Sequence, residues 1–110
     1  MSGVEVRDNR FVDVVGPSVS FELLATGCIF TEGPLWHARE KYLLFSDMPG
    51  DHLRRWSEGD GVTTFRKPCN KSNGLAWDLQ GRLLTCEHAS SRLTRTETDG
   101  KITVLSLIHI

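Results

Sequence analysis

Two polar side chains stand at matched places in this sequence, and both carry oxygen donors. Glu32 lies in Thr31-Glu32-Gly33-Pro34-Leu35-Trp36, and Asn73 lies forty-one positions later in Ser72-Asn73-Gly74-Leu75-Ala76-Trp77. A carboxylate and an amide are donors that a hard divalent cation accepts. Such a cation would polarise a carbonyl and lower the pKa of a bound water. Three further residues follow at a second matched place: Asp47, and forty positions on Glu87, with His88 beside it. A neutral imidazole at such a place can bond a substrate or move a proton. Cys86-x-His88 has the look of half a zinc site, but the other half of a Cys/His set is missing. No Gly-x-Ser-x-Gly, phosphate-binding loop or dinucleotide fingerprint occurs.

The elements that must position these residues form a repeat. Tyr42-Leu43-Leu44-Phe45-Ser46-Asp47 is answered by Arg82-Leu83-Leu84-Thr85-Cys86-Glu87, and Leu53-Arg54-Arg55-Trp56 by Leu93-Thr94-Arg95-Thr96. Asp60-Gly61 before Val62–Phe65 is answered by Asp99-Gly100 before Ile102–Leu105. A period near forty with several matched segments marks a repeat architecture. Each unit reads as four short strands separated by Gly, Pro and Asp clusters, and no segment sustains the spacing of an amphipathic helix. Four strands per unit of ~40 residues is the pattern of a propeller blade.

The expected organisation is a polar arm over residues 1–18 and a partial propeller over residues 19–110. Blade one is expected at about 30–67 and blade two at about 72–105. Phe11–Val15 could form a short strand, and Val19, Phe21 and Leu23 alternate with polar residues as a half-buried strand does. The matched Trp36 and Trp77 read as blade core. Asp47 and Glu87, matched between units, read as structural acceptors of turn amides. Arg54, Arg55 and Arg95 read as a solvated strand face.

In a blade of this kind the innermost strand starts at the face where its antiparallel neighbour finishes. Glu32 and Asn73 should therefore share one rim with Asp47, Glu87 and His88.

Composition narrows the partners. The net charge of −1 and the pI near 6.4 provide no basic field for nucleic acid or an anionic membrane surface. No apolar run approaches the ~20 residues of a membrane helix. Cys28, Cys69 and Cys86 make no Cys-x-x-Cys pair and suit reduced thiols. The first ten residues show no signal or transit pattern. A cytoplasmic protein is expected, with its oligomeric state left open.

Taken together, Phe30–Trp36, Tyr42–Gly50, Lys71–Asp78 and Arg82–His88 resemble the gluconolactonase, regucalcin and luciferin-regenerating enzyme family, over roughly Val19–Leu105. The resemblance implies a six-bladed, all-β propeller whose central channel holds one divalent metal, calcium foremost, with zinc or magnesium as alternatives. It implies hydrolysis of sugar lactones or related cyclic esters, with a small-molecule lactone as substrate. The family's glutamate in the Glu-Gly-Pro motif is a metal ligand, and that position is Glu32. Asn73 and His88 are candidate substrate contacts on the channel wall. The family's other ligands and the general base are expected beyond residue 110. The chain thus reads as a fragment of a larger propeller, inactive by itself, with a non-catalytic binding propeller as the rival reading.

Overall fold

The computed structural model describes residues 3–107; Met1, Ser2 and residues 108–110, part of the apolar run that closes the sequence, lie outside it. Eight strands form two four-stranded antiparallel sheets. The first contains β1 (Thr31–His37), β2 (Tyr42–Asp47), β3 (His52–Ser57) and β4 (Gly61–Arg66), each paired with the next in sequence. The second repeats this order with β5 (Ser72–Trp77), β6 (Leu83–Glu87), β7 (Arg92–Thr96) and β8 (Ile102–Leu107). These are two blades side by side.

The repeat extends to backbone detail. Lys41 and Gly81 hold the same place in the first turn of each blade, and both have positive φ (59° and 79°). Asp51 and Ser91 do so before β3 and β7, at 50° and 51°. Each inner strand also carries a β-bulge at the same point, between Glu32 and Leu35 in β1 and between Ser72 and Leu75 in β5. A bulge adds a residue to one strand and re-aims its side chains, a common device beside functional sites.

The core lies between the blades. The face of blade one that carries Tyr42, Leu44 and Leu53 packs against Leu83 of blade two and Cys69 of the connecting segment, all buried. Leu35, Leu75 and Trp77 close the cluster at its border. Leu44 and Leu53 are fully enclosed, and burial of such a side chain stabilises by about 1.5–3 kcal/mol.

Polar bonds hold the same seam. Ser46 Oγ lies 3.3 Å from Ser72 Oγ and donates to the Asn73 carbonyl at 3.2 Å. Trp77 Nε1 donates to the Trp36 carbonyl (3.0 Å), and Arg66 Nη2 to Thr96 Oγ1 (2.7 Å). At the strand starts the blades touch backbone to backbone. Gly33 has φ +60°, and a Cβ there would stand 1.9 Å from the Asn73 carbonyl oxygen. Only glycine combines that conformation with that approach.

Four expectations change. Phe11–Val15 lies within an α-helix, α1 (Arg10–Val15), not a strand. Asp8 accepts the Arg10 amide, the Asp8 and Asn9 carbonyls take the next two amides, and Gly16 at φ +87° ends the turn. Local capping thus overrides the β-branched composition. Residues 19–25 form no strand, because an alternating segment needs a neighbouring ladder; Phe21 and Leu23 are instead more than 80% exposed. Trp36 is 46% exposed and not core. It pairs across from Leu43 on the face of blade one that meets no second blade among the described residues. The arginines are not simply solvated: Arg54 bonds buried Asp47, Arg55 stacks 4.3 Å over Tyr42, and Arg95 bonds Glu97.

Candidate functional site

The site begins at the two bulges. Glu32 pairs across the β1–β2 ladder from Ser46, whose hydroxyl bonds the Asn73 carbonyl. Glu32 and Asn73 therefore sit at one end of the neighbouring inner strands, linked by Ser46 of β2 and by the Gly33–Asn73 contact. Glu32 is half-buried and Asn73 is exposed. His88, exposed in the turn after β6, is fastened by its amide to the Lys71 carbonyl (3.2 Å), one residue before β5. The common rim inferred from antiparallel pairing is present: Thr31 pairs with Asp47, and Ser72 with Glu87.

Asp47 and Glu87 build this rim and are turned inward. Asp47 is 1% exposed; its Oδ1 accepts the amides of Ile29 (3.1 Å) and Phe30 (3.0 Å), and its Oδ2 accepts Arg54 Nε (3.2 Å). Burial pushes its pKa up, but the two amides and the arginine outweigh this and hold it below the usual carboxylate value. Glu87 is 2% exposed; it accepts Asn70 Nδ2, Ser90 Oγ, Arg92 Nη2 and Thr94 Oγ1 at 2.7–3.1 Å. Here too burial raises the pKa and four hydrogen-bond donors lower it further than burial lifts it. Fully occupied, low-pKa carboxylates position loops; they are poor proton acceptors at neutral pH.

Asp51 has a positioning role that sequence reasoning missed. From the turn before β3 its Oδ1 accepts the Lys71 amide (2.6 Å), the Cys69 amide (3.3 Å) and the Cys69 thiol (3.5 Å). The Lys71 amide, opposed by burial and helped by Cys69, keeps Asp51 below its ordinary value. Asp51 thus fixes the segment that delivers Ser72 and Asn73. The repeat gives no signal for it, since the matching residue is Ser91.

The donor chemistry at the rim suits a hard cation. A glutamate carboxylate and an asparagine amide come from adjacent inner strands, while Cys86 and His88 are both exposed without a further Cys or His partner set. Among the described residues no group of three or more His, Cys, Asp or Glu side chains converges as a ready metal cage. The described part of the rim therefore offers an incomplete oxygen set, against the six to eight that calcium takes.

On the far side of β1, an open cleft of about 580 Å³ is bordered by Glu22 and Leu24–Ile29 and floored by Leu43, Phe45 and Trp56. Glu32 touches its edge, but the floor is an apolar sheet face.

Paired four-stranded sheets, bulged inner strands and a polar rim at their starts define this molecule as two adjacent blades of a β-propeller of the gluconolactonase type. Residues 30–109 match the model of the SMP-30/Gluconolactonase/LRE-like region, and the chain belongs to that family. A gluconolactonase of Zymomonas mobilis is 36% identical over 59 residues, covering 54% of this chain and 17% of that protein. The solved gluconolactonase of Xanthomonas campestris superposes with a TM-score of 0.65 at 33% identity, over 72% of this chain and 27% of that one. A structural-genomics protein described as a candidate gluconolactonase gives 0.68 at 30%, over 76% and 29%. The chain therefore spans less than a third of each of these relatives. Among the described residues no helix is long and apolar enough to cross a membrane.

Proposed function

We propose that this chain contributes two blades and one sector of the channel wall to a metal-dependent hydrolase of sugar lactones or related cyclic esters. The observation that carries this reading is the placement of Glu32 and Asn73, in a member of the gluconolactonase-like family, at matched bulges of adjacent inner strands. Glu32 would hold a divalent cation, calcium foremost, with Asn73 near enough along the rim to bond its water or the substrate. When bound, the cation would supply Lewis-acid polarisation of the lactone carbonyl.

The chain's own residues would position the substrate. Asn73, with an amide that both donates and accepts, orients the substrate's ring hydroxyls or carbonyl. His88 offers an imidazole in the exposed turn beside it. Ser46, bonded to the Asn73 carbonyl, and the Asp51 carboxylate, bonded to the Lys71 amide, hold Asn73 at a fixed height on the rim. Such positioning keeps a bound ester in one pose, the part of catalysis that structure supplies most directly. A hard cation needs more oxygens than one carboxylate and one amide. In the isolated 110-residue chain, binding is accordingly weak and lactone hydrolysis stays at the uncatalysed rate.

Calcium titration of the chain by calorimetry tests this reading. Weak binding that disappears in Glu32→Gln, with an unchanged circular dichroism spectrum, is the expected result. In the presence of calcium, a sugar 1,5-lactone should then shift the NMR signals of the Asn73 side-chain amide and the His88 imidazole. Equal calcium binding by parent and Glu32→Gln removes Glu32 from the site and the reading with it.

A further inference from the structure

Of the asparagines in this chain, Asn73 alone precedes a glycine; Asn9 precedes Arg10 and Asn70 precedes Lys71. The difference is chemical, because the main-chain nitrogen of the following residue can attack an asparagine carboxamide. Gly74 puts no Cβ in the way of that approach. The fold adds to this local tendency. The register of β5 and β6 passes from Ser72–Glu87 to Leu75–Thr85, which leaves Asn73 and Gly74 opposite Cys86 alone. Their peptide unit therefore lies in the bulge, outside the regular ladder. Both residues are exposed, and among the described residues the hydrogen bonds of Asn73 engage its main-chain carbonyl and not its carboxamide. Asn70, by contrast, has its Nδ2 tied to Glu87 Oε1 at 3.1 Å.

The seam supplies one more group. Ser46 is fully buried, and its Oγ donates to the Asn73 carbonyl at 3.2 Å. With its single proton committed there, Ser46 Oγ accepts from Ser72 Oγ at 3.3 Å and is held in place.

We propose that Asn73–Gly74 is a self-modifying site, at which the folded chain converts an amide of the rim into a carboxylate. The Gly74 nitrogen gives up its proton and bonds to Asn73 Cγ. The Cγ–Nδ2 bond breaks, the departing nitrogen takes a proton and leaves as ammonia, and a cyclic imide remains. Water then opens the imide. Attack at Cγ gives aspartate, and attack at the main-chain carbonyl gives isoaspartate. Water is the sole co-reactant and no electrons are exchanged. Loss of the Gly74 proton puts negative charge on the Asn73 carbonyl oxygen, where the Ser46 hydroxyl already donates. A donor placed in advance at an oxygen that gains charge favours the step.

The consequence falls on the rim. Blade one already carries a carboxylate, Glu32, at the matched place, and the Gly33–Asn73 contact links the two strand starts. Conversion to aspartate gives both blades an acid there and adds an oxygen donor that a hard cation prefers. It also removes the donating half of the Asn73 amide, one means of holding a substrate. The conversion stands apart from the lactonase reading, whereas its effect on cation binding rests on that reading.

Incubation of the folded 110-residue chain at mildly alkaline pH, followed by peptide mass mapping, tests the proposal. Tryptic cleavage after Lys71 separates Asn73 from Asn70. The Asn73 peptide should gain the mass of an amide-to-acid exchange well ahead of the Asn9 and Asn70 peptides. Isomerisation at Asp60-Gly61 or Asp99-Gly100 leaves mass unchanged and does not disturb this readout. Gly74→Ala should lose the conversion and keep a parental circular dichroism spectrum. Ser46→Ala should slow it about tenfold, the effect of one hydrogen bond. If that variant fails to fold, Ser46→Cys, a weaker donor of similar volume, takes its place. Conversion at Asn73 no faster than at Asn9 or Asn70 overturns the proposal, as does a folded Ser46 variant that converts at the parental rate. Calorimetry then compares Asn73→Asp with the parent, and tighter calcium binding by the variant is expected. Equal binding refutes the shared cation, while the conversion itself is decided by mass.

Discussion

The same sheet face occurs twice in this molecule, once covered and once bare. In blade two it carries Trp77, Leu83 and Thr85 and lies against blade one, with Leu83 and Thr85 at 3% and 0% exposure. In blade one the equivalents Trp36, Leu43 and Phe45 meet no second blade among the described residues, while Asp47, like Glu87, is buried by bonds within its own blade and the segment before it. Trp36 is consequently 46% exposed, whereas Trp77 packs edge-on against His37 and Tyr42 and bonds the Trp36 carbonyl. The side chains are similar and the surroundings are not. In a repeat protein the role of a residue belongs to the seam between neighbours, since each unit contacts only the units beside it.

The sharpest way to break this comparison is at the glycines. Gly33→Ala places a Cβ against the Asn73 carbonyl at positive φ and should cost about 3 kcal/mol or more, enough to separate the blades. Gly74→Ala, at the matched position, meets only the Cys86 side chain, Sγ at 3.7 Å and Cβ at 3.9 Å, and should change the urea midpoint little. Equal losses in both variants would show that the strain is local to each bulge and owes nothing to the neighbouring blade.

The leucines sharpen it next. Leu44→Ala empties a fully buried place in the seam and should cost about 2–5 kcal/mol. Leu84→Ala, the same place in blade two, should cost about 1 kcal/mol or less in a monomer, because its face is open. Thermal melts at low protein concentration read both.

The carboxylates come third. Glu87→Gln keeps the shape but weakens four bonds, with a loss of about 2 kcal/mol. The sign of the pH effect follows from the lowered pKa values of Asp47, Asp51 and Glu87. Each is depressed in the folded chain, so its stabilisation is full above the ordinary carboxylate range, near 3.8 for Asp and 4.5 for Glu, and is lost as pH falls through the folded values below it. Urea midpoints should be flat in this respect from pH 7 to about 5 and fall further down, with a shallower fall in Glu87→Gln. The tryptophans give the smallest contrast: Trp77→Phe removes an indole N–H bond at about 1 kcal/mol, and Trp36→Phe close to nothing.

Much of this frame was legible in the sequence, because period and turn chemistry are local. The Asp-Gly and Gly-Asp-Gly clusters, the alternating runs and the forty-residue offset placed all eight strands. Antiparallel pairing alone placed Glu32 and Asn73 on the rim with Asp47 and Glu87. What failed depended on partners. Val19, Phe21 and Leu23 alternate correctly for a strand but find no ladder, and Trp36 has the composition of core without a neighbour. The Asp8–Gly16 turn was decided by caps that hydrophobic pattern ignores. Asp51 left no repeat signal, so its bonds to Cys69 and Lys71 were visible only in three dimensions. The metal and substrate roles of Glu32, Asn73 and His88 rest on resemblance and placement together, and the experiments above are what will test them.

The reach of Asp51 also bears on how such a protein could be cut and rejoined. Its carboxylate belongs to one blade by sequence, yet it holds the amides that open the next. A module excised at the strand boundaries, from Thr31 to Arg66, would keep the acceptor and discard both donors. A graft that began at Ser72 would arrive without the anchor that sets its first strand. At this junction the unit held together is therefore offset from the visible blade and runs from the turn before β3 into the start of β5. A crossover between these two sheets should cost the second its anchor, whereas one placed before Asp51 should keep it.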